Sequence, residues 1–440
     1  MSVDNFFLFS GTADLNYPDV RPSLNLNFAR TKTLDPRITF TRGSGGSYID
    51  ANGLIKYAGV NEARFDHELA TGESLGLLIE ESRTNFIQQS EPSANSSRWL
   101  FRNLHSRNDE INGPSINGIK ITPQKEQYAR VQPQGGPLTS WAGFETNEIY
   151  PNWTNTASLT VKHRVSFMIN PLSWDKEIFL HSYSYDGNPD LNIWMSILLF
   201  NDGTYVGPLS YIKHVYSDGT YWLHNIPRPI NVGSNFRLGF SVTQQGDNAK
   251  SYWVSAIQME LGPLSNPLGS TPDPVISSSY IPTTTASRTR AADVIRITGV
   301  NFSQWFNPNQ GTTFVDCITR TNNQNAGVVT FDDSIVSSYI AFRRQSATWK
   351  YSVPGSIDLT SVNSFSNKAC FAYSTSDYAI STNGTPPQLN PISGLPTGLN
   401  RMLIGNHLVS GQTGYLNGTI SRLIYWPQRL NNSTLQTLNL

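Results

Sequence analysis

Apolar and polar residues alternate with a period of two along most of this chain. From Ala157 to Ile169 the odd positions read Ala157, Leu159, Val161, His163, Val165, Phe167 and Ile169. That pattern predicts a long half-buried strand, or two strands in direct succession. Phe236, Leu238, Phe240 and Val242 form a second apolar face. After a turn at Gly246-Asp247, Trp253, Ile257, Met259 and Leu261 are expected to share a third. Tight-turn dipeptides recur at Asn52-Gly53, Asp202-Gly203, Asp218-Gly219, Asn383-Gly384 and Asn417-Gly418. Each tolerates the positive φ that a two-residue hairpin requires. Helical periodicity is confined to Ser433–Leu438, with Ser433 or Asn432 as the expected N-cap. The chain therefore reads as all-β, a set of tandem sandwiches of the jelly-roll kind.

Proline and serine set the expected boundaries. Gln88 to Ser97 is Ser-rich, and Gly262 to Thr285 holds Pro263, Pro267, Pro272, Pro274 and Pro282. A β ladder does not continue through such a run. The expected division is an N-terminal module over 1–95, a sandwich over 96–290 and a second sandwich over 291–440. No repeat with a period of roughly 20–50 residues is visible, which argues against a propeller or β-helix.

Composition narrows the function. Charged residues are 15% of the 440, aromatics 11% with ten Trp, and Lys+Arg equals Asp+Glu at 32 each. A balanced, charge-poor chain lacks the basic footprint of a general nucleic-acid binder. The longest apolar stretch, Ile193 to Phe200, is interrupted by Ser196 and falls well short of a membrane span. The start, Met-Ser-Val-Asp-Asn-Phe-Phe, has neither the basic region nor the apolar core of a signal peptide, so synthesis in a cytoplasm is expected.

Three stretches carry a resemblance. The first runs through Ser23–Arg30, Leu34–Arg42, Tyr48–Leu54, Ala63–Asp66, Thr71–Glu81 and Arg83-Thr-Asn85. It resembles a module of tailed-bacteriophage virion proteins. The second, Ala256–Glu260 with Ser279–Thr283 and Thr289–Asp293, resembles the end of the carbohydrate-binding-like sandwich that often follows that module. The third, Tyr415–Trp426 with Arg429-Leu430, is similar to the closing strand of laminin-G or concanavalin-like sandwiches. The resemblance implies a tail-fibre, baseplate or capsid-attached virion protein, without the heptads or Gly-X-Y repeats of a long shaft. It also implies a homotrimer, other virion proteins as partners and a host-surface glycan as ligand.

Catalytic and metal chemistry find little footing. The seven histidines show no His-Glu-x-x-His spacing. His163 reads as a hydrogen-bonded core residue. His214 and His224 flank the Asp218-Gly219 turn and are expected to face each other across two strands, packing rather than holding a metal. Glu80-Glu81 and Asp109-Glu110 are adjacent pairs, whose side chains point to opposite faces of a strand. Glycoside hydrolysis needs two carboxyls about 5 to 9.5 Å apart. Asp332-Asp333 reads as a turn, and no Gly-x-Ser-x-Gly elbow is present. No catalytic residue, metal or cofactor is assigned. Cys317 and Cys370, the only cysteines, read as buried small apolar residues that bridge only in oxidising surroundings.

Aromatic residues are the stronger lead. Trp141, Trp153, Trp174, Tyr183, Tyr185, Tyr221 and Trp222 lie in or beside loops and hairpins, with Asp186 among their polar neighbours. A flat ring stacks on the apolar face of a sugar while a carboxylate or amide bonds its hydroxyls. Near the N-terminus, Phe6, Phe7, Phe9, Leu15 and Tyr17 form an apolar cluster without room for a core of their own, expected to attach the chain to the particle. Two rival readings accompany this one: a capsid decoration or collar protein with architectural contacts alone, and a glycan-degrading tailspike.

Overall fold

The computed structural model describes residues 20–69, 71–90 and 278–319, and 326–440 apart from 336–337, 346–347, 355–357, 362–366, 376, 392–393 and 410–411. Between 99 and 261 it describes the strands alone. The fold is all-β. Antiparallel strands supply nearly all the regular structure, and the helices among the described residues are short: Phe28–Thr31, Val300–Ser303 and Asn432–Leu438.

Contacts divide the chain into two units that interleave in sequence. One joins the residues up to Thr41 with Leu75–Glu80 and Asp293–Leu440; the other joins Arg42–Ser74 with Glu81–Ala292. The stretch expected as an N-terminal module is thus shared between them in space. Strand pairing is the reason. Leu24–Asn27 lies antiparallel to Arg422–Tyr425, and Leu77–Ile79 continues along the same strand opposite Gly418–Ile420. At Gly76, φ is +91° and the Ile420 carbonyl occupies the space a Cβ would fill, so only glycine fits.

The first unit is a sandwich. One sheet runs Gln388–Pro391, Asp377–Thr382, Lys368–Tyr373, Gly311–Thr319 and Gly418–Trp426. The other runs Thr39–Thr41, Val294–Thr298, Arg401–Ile404, Ala326–Asp332, Tyr339–Gln345, Thr348–Ser352 and Leu359–Thr360. Aromatic rings join their inner faces: Phe342 stacks on Phe371 at 4.0 Å, Tyr351 meets Tyr378 at 4.7 Å, and Phe331 meets Tyr425 at 5.9 Å. The outer face of the first sheet is buried too. Phe314, Cys370, Ala372, Ala379, Ile424 and Trp426 lie under Leu430 and Leu435, with Val20 and Leu438 packed against them. Burial on both faces explains why Ala369–Tyr373 is a continuous apolar run rather than an alternating one.

Local signals were accurate in part. Asn383 and Gly384 adopt φ of 51° and 67° between Asp377–Thr382 and Gln388–Pro391, and Gly53 (φ 74°) turns the chain between Gly46–Ile49 and Ile55–Ala58. Asn417-Gly418 does not close a hairpin. Gln412–Tyr415 pairs with Asn406–Val409, whereas Gly418 starts a strand of the other sheet, and Asn417 (φ 46°) redirects the chain between the two. The helix cap is Asn431, one residue earlier than expected: its backbone is extended and its side chain accepts the Thr434 N–H at 2.8 Å.

The second unit holds two six-stranded sheets. One runs Ile212–Val215, Tyr221–Ile230, Val161–Pro171, Tyr252–Leu261, Tyr128–Val131 and Asp109–Glu110. The other runs Tyr205–Val206, Ile193–Leu199, Lys176–Ser184, Phe236–Thr243, Ala142–Thr146 and Trp99–Arg102. The long strand expected around 157–169 is Val161–Pro171, with a bulge near its middle. That bulge also corrects the third apolar face. Trp253 pairs with Asn170 and Met259 with Val165, six residues apart on one strand and five on the other. Ala256, at φ 52°, absorbs the extra residue, so Trp253 and Met259 fall in rows of opposite parity. Asp202-Gly203, Asp218-Gly219 and Gly246-Asp247 lie outside the described residues.

Candidate functional site

Within the second unit, segments far apart in sequence lock around one amide. Arg83–Asn85 pairs with Arg288–Arg290. Asn85 is fully buried; its Oδ1 accepts the N–H groups of Met259 (3.0 Å) and Ile87 (3.1 Å). Its Nδ2 donates to the carbonyls of Ile257 (3.2 Å) and Ile281 (2.9 Å). Four bonds use the full capacity of the group. Around it, Ser90 Oγ meets the Tyr280 hydroxyl at 2.6 Å, and the Gln258 Oε1 accepts the Ile281 N–H at 2.6 Å. Buried arginines tie the adjoining loops. Arg64 donates to the Ser47 carbonyl and Ser279 Oγ, and Arg42 to the carbonyls of Ser44 and Gly59. Irregular loops leave carbonyls without ladder partners, and a guanidinium supplies five donors in one plane.

In the first unit the described carboxylates are engaged. Asp332 is buried and paired with Arg401 through both Nε and Nη2, and it accepts the Ser334 N–H at 2.9 Å. Ser334 Oγ in turn meets Asn400 Oδ1 at 2.6 Å; Asp332, read as part of a turn, instead ends the strand Ala326–Asp332, and Asp333 alone of the pair lies beyond it. Glu80 is buried; its carbonyl accepts the Asp293 N–H at 3.0 Å, and its own N–H donates to Asp293 Oδ2 at 2.9 Å. Glu81, its chain neighbour, belongs to the second unit and pairs with Arg83 there. Arg429 holds Asp377 at 2.7 Å. Asp316 differs: burial pushes its carboxyl above the usual range, although Ser421, Lys368 and Arg422 pull the other way. Tyr373 and Tyr425 share a hydroxyl–hydroxyl bond at 2.7 Å, and burial pushes Tyr425 up to about 12. Among the described residues no group of three or more His, Cys, Asp or Glu comes together as metal ligands.

The sequence-derived candidates scatter. Tyr183 lies in Lys176–Ser184, opposite Arg237. Tyr221 and Trp222 lie in a different sheet, in register with Ile169 and Met168. Trp141, Trp153, Trp174, Tyr185 and Asp186 lie outside the described residues, as do Phe6, Phe7, Phe9, Leu15 and Tyr17. The first described residue, Val20, accepts the Trp426 Nε1–H at 2.9 Å through its carbonyl. His214 and His224 are not opposed: the register sets His214 against Trp222 and His224 against Ile212, two residues out of step. What sequence reasoning missed is the set of buried polar hubs, Asn85, Arg42 and Arg64 (each at most 1% exposed), whose only signal was arginine and asparagine inside a charge-poor, loop-rich stretch.

No family model and no curated relative matches this chain. Solved structures that are similar include the CBM40 domain of the Ruminococcus gnavus IT-sialidase bound to α2,6-sialyllactose, at 12% identity and TM-score 0.27, covering 32% of this chain and 88% of that one. Domains LG4-5 of the mouse laminin α1 chain match at 10% identity and TM-score 0.23, over 64% and 86% of the two chains. Trypanosoma rangeli sialidase, in complex with the inhibitor DANA, matches at 11% identity and TM-score 0.24, over 71% and 68%. Likenesses this faint say nothing about the ligand of this chain.

Proposed function

We propose that this chain is a non-enzymatic structural protein of a bacteriophage virion, a tail-fibre or fibre-tip protein. It attaches to the particle by its N-terminal segment and binds host-surface glycan through its β-sandwiches, as a homotrimer. One observation supports the reading above the others. Arg83-Thr-Asn85, from the stretch that resembles a phage virion module, and Ala256–Glu260 with Ser279–Thr283, which resembles the end of the carbohydrate-binding-like sandwich that often follows it, meet around the Asn85 amide. Within the second unit, the two resemblances therefore fall on segments that pack together. The aromatic residues Trp153, Tyr221 and Trp222 are the proposed sugar contacts.

Host-cell adsorption by the full chain tests the reading directly. Adsorption is expected, and Trp222→Ala or Trp153→Ala should weaken it by roughly tenfold, the scale of one lost stacked aromatic. A released-sugar assay that turned positive would make the protein a tailspike. Absence of adsorption, with gold label on assembled particles, would leave the architectural reading. A sedimentation mass of one 48.9 kDa chain at micromolar concentration would overturn the trimer.

A further inference from the structure

The outer face of the second sheet of the C-terminal sandwich carries a like-charged pair at a position where strand chemistry disfavours it. Arg343 and Lys350 are direct register partners on neighbouring antiparallel strands. Their neighbours fix the direction in which they point. Arg344 lies over the Trp349 ring at 5.3 Å, and Trp349 packs on Phe371 of the facing sheet, so this parity fills the core. Arg343 and Lys350, one residue along, face outward. Two cations placed directly across a ladder repel each other, and a strand pair ordinarily avoids the arrangement.

One carboxylate answers both. Asp358 Oδ2 accepts from Arg343 Nη2 at 2.6 Å and stands 3.7 Å from Lys350 Nζ. Arg343 is further oriented by its Nε–H bond to Ser352 Oγ at 2.9 Å. The guanidinium is thus held rigidly, while the Lys350 ammonium is within ion-pair range of Asp358 but makes no hydrogen bond to it. The three groups are partly sheltered, with side-chain exposures of 14% for Arg343, 24% for Lys350 and 30% for Asp358. Among the described residues, Asp358 is the carboxylate in ion-pair range of both cations, and the three lie on a face partly screened from water.

We propose that Arg343 and Lys350 form a binding site for the anionic group of a saccharide, with Arg343 as the oriented fork and Lys350 as the mobile charge. An incoming oxyanion supplies the Lys350 ammonium with the hydrogen bond that Asp358, at 3.7 Å, does not, and further relieves the cross-strand repulsion, so binding and local stability rise together. A uronic-type carboxylate and a phosphate substituent share this chemistry. The inference rests on the glycan-binding reading and specifies its ligand class.

The test uses the full chain with three soluble polymers: polygalacturonate, a phosphomannan and neutral dextran. One of the two anionic polymers should be retained over dextran, less so in high salt, and which one identifies the anion. Lys350→Gln should weaken retention by roughly fivefold or more, Lys350→Arg should restore it, and Asp358→Asn should tighten it. A thermal melt matching wild type keeps Lys350→Gln interpretable. Equal retention of dextran, or unchanged binding in both Lys350→Gln and Arg343→Gln, would overturn the site. If the wild-type chain adsorbs to host cells while neither anionic polymer binds or competes, this inference falls and the glycan reading stands. If the chain does not adsorb at all, both fall.

Discussion

Cys317 and Cys370 sit in neighbouring strands of one sheet but on its opposite faces. Cys370 is opposite Phe314 and belongs to the outer cluster under Leu435. A bulge between Asp316 and Cys317 shifts the register, so Cys317 pairs with Ile420. It turns inward, where the Arg344 charge partly offsets the burial of its thiol. The two sulfurs are separated by the sheet itself.

Neither cysteine is expected to react in the folded protein. Burial pushes both thiols up to about 12, so at mildly alkaline pH the thiolate is scarcer than in an ordinary cysteine by roughly a thousandfold. Iodoacetamide labelling followed by mass spectrometry should leave both unmodified in buffer and modify both in denaturant. An intramolecular disulfide in the native protein under oxidising conditions would contradict the opposed faces.

Asn85→Ala should destabilise the second unit by about 3 kcal/mol or more, since it strands two buried carbonyls and two buried N–H groups at once. Urea denaturation followed by tryptophan fluorescence reads the loss. Asn85→Asp should also destabilise, because a carboxylate has no donor for the Ile257 and Ile281 carbonyls. A change within about 0.5 kcal/mol for both variants would mean that the loops do not depend on this amide.

Gly311→Ala should destabilise the C-terminal sandwich by about 1–3 kcal/mol, the usual scale of overpacking. Its Cβ would stand 2.5 Å from the Tyr425 hydroxyl and 2.7 Å from the Tyr373 ring. Those hydroxyls are pinned to each other and to the Asn307 carbonyl, so neither ring swings aside. A melting temperature equal to wild type would show that the tyrosine pair yields.

Two aspartates should give pH dependences of opposite sign. Burial raises Asp316, so its charged form opposes folding: the penalty is complete above the raised folded value and fades as pH falls toward the ordinary carboxylate range. Asp316→Asn should therefore melt higher than wild type at neutral pH, and the gap should close in acid. For Asp377, burial also pushes upward, but hydrogen bonds from Arg429 and Ser374 outweigh it and hold the carboxyl below the usual range. That stabilisation is present at neutral pH and is lost as pH falls below the ordinary value through the lowered one. Asp377→Asn should melt lower than wild type at neutral pH and converge with it in acid. Melts across an acid-to-neutral series distinguish the two, and parallel curves for both variants would refute the assignment.

The sequence conveyed the candidate site unevenly. The cross-strand opposition of Arg343 and Lys350 cannot be read along the chain, because it depends on the register of the Tyr339–Gln345 and Thr348–Ser352 strands. The Asn383-Gly384 turn was legible because a positive φ at two successive residues is a local requirement that Asn and Gly meet. Asn417-Gly418 carries the same signal, yet it serves a chain that changes sheets, and no local rule separates the two cases.

What the sequence by itself determined was the class of the fold: period-two alternation, glycine turns and scarce charge leave an all-β sandwich as the way to bury this many aromatic residues. It also determined the burial of the two cysteines and the short C-terminal helix. Tertiary structure alone decided which strands pair. Alternation tells each strand which face to bury but not against what, so Leu24–Asn27 could join Arg422–Tyr425 across the whole length of the chain without leaving a mark in either segment. The same holds for Asn85, whose four partners lie as far away as Ile281. A polar side chain satisfies whichever backbone groups folding brings to it, and that choice is made by packing, not by neighbours in sequence.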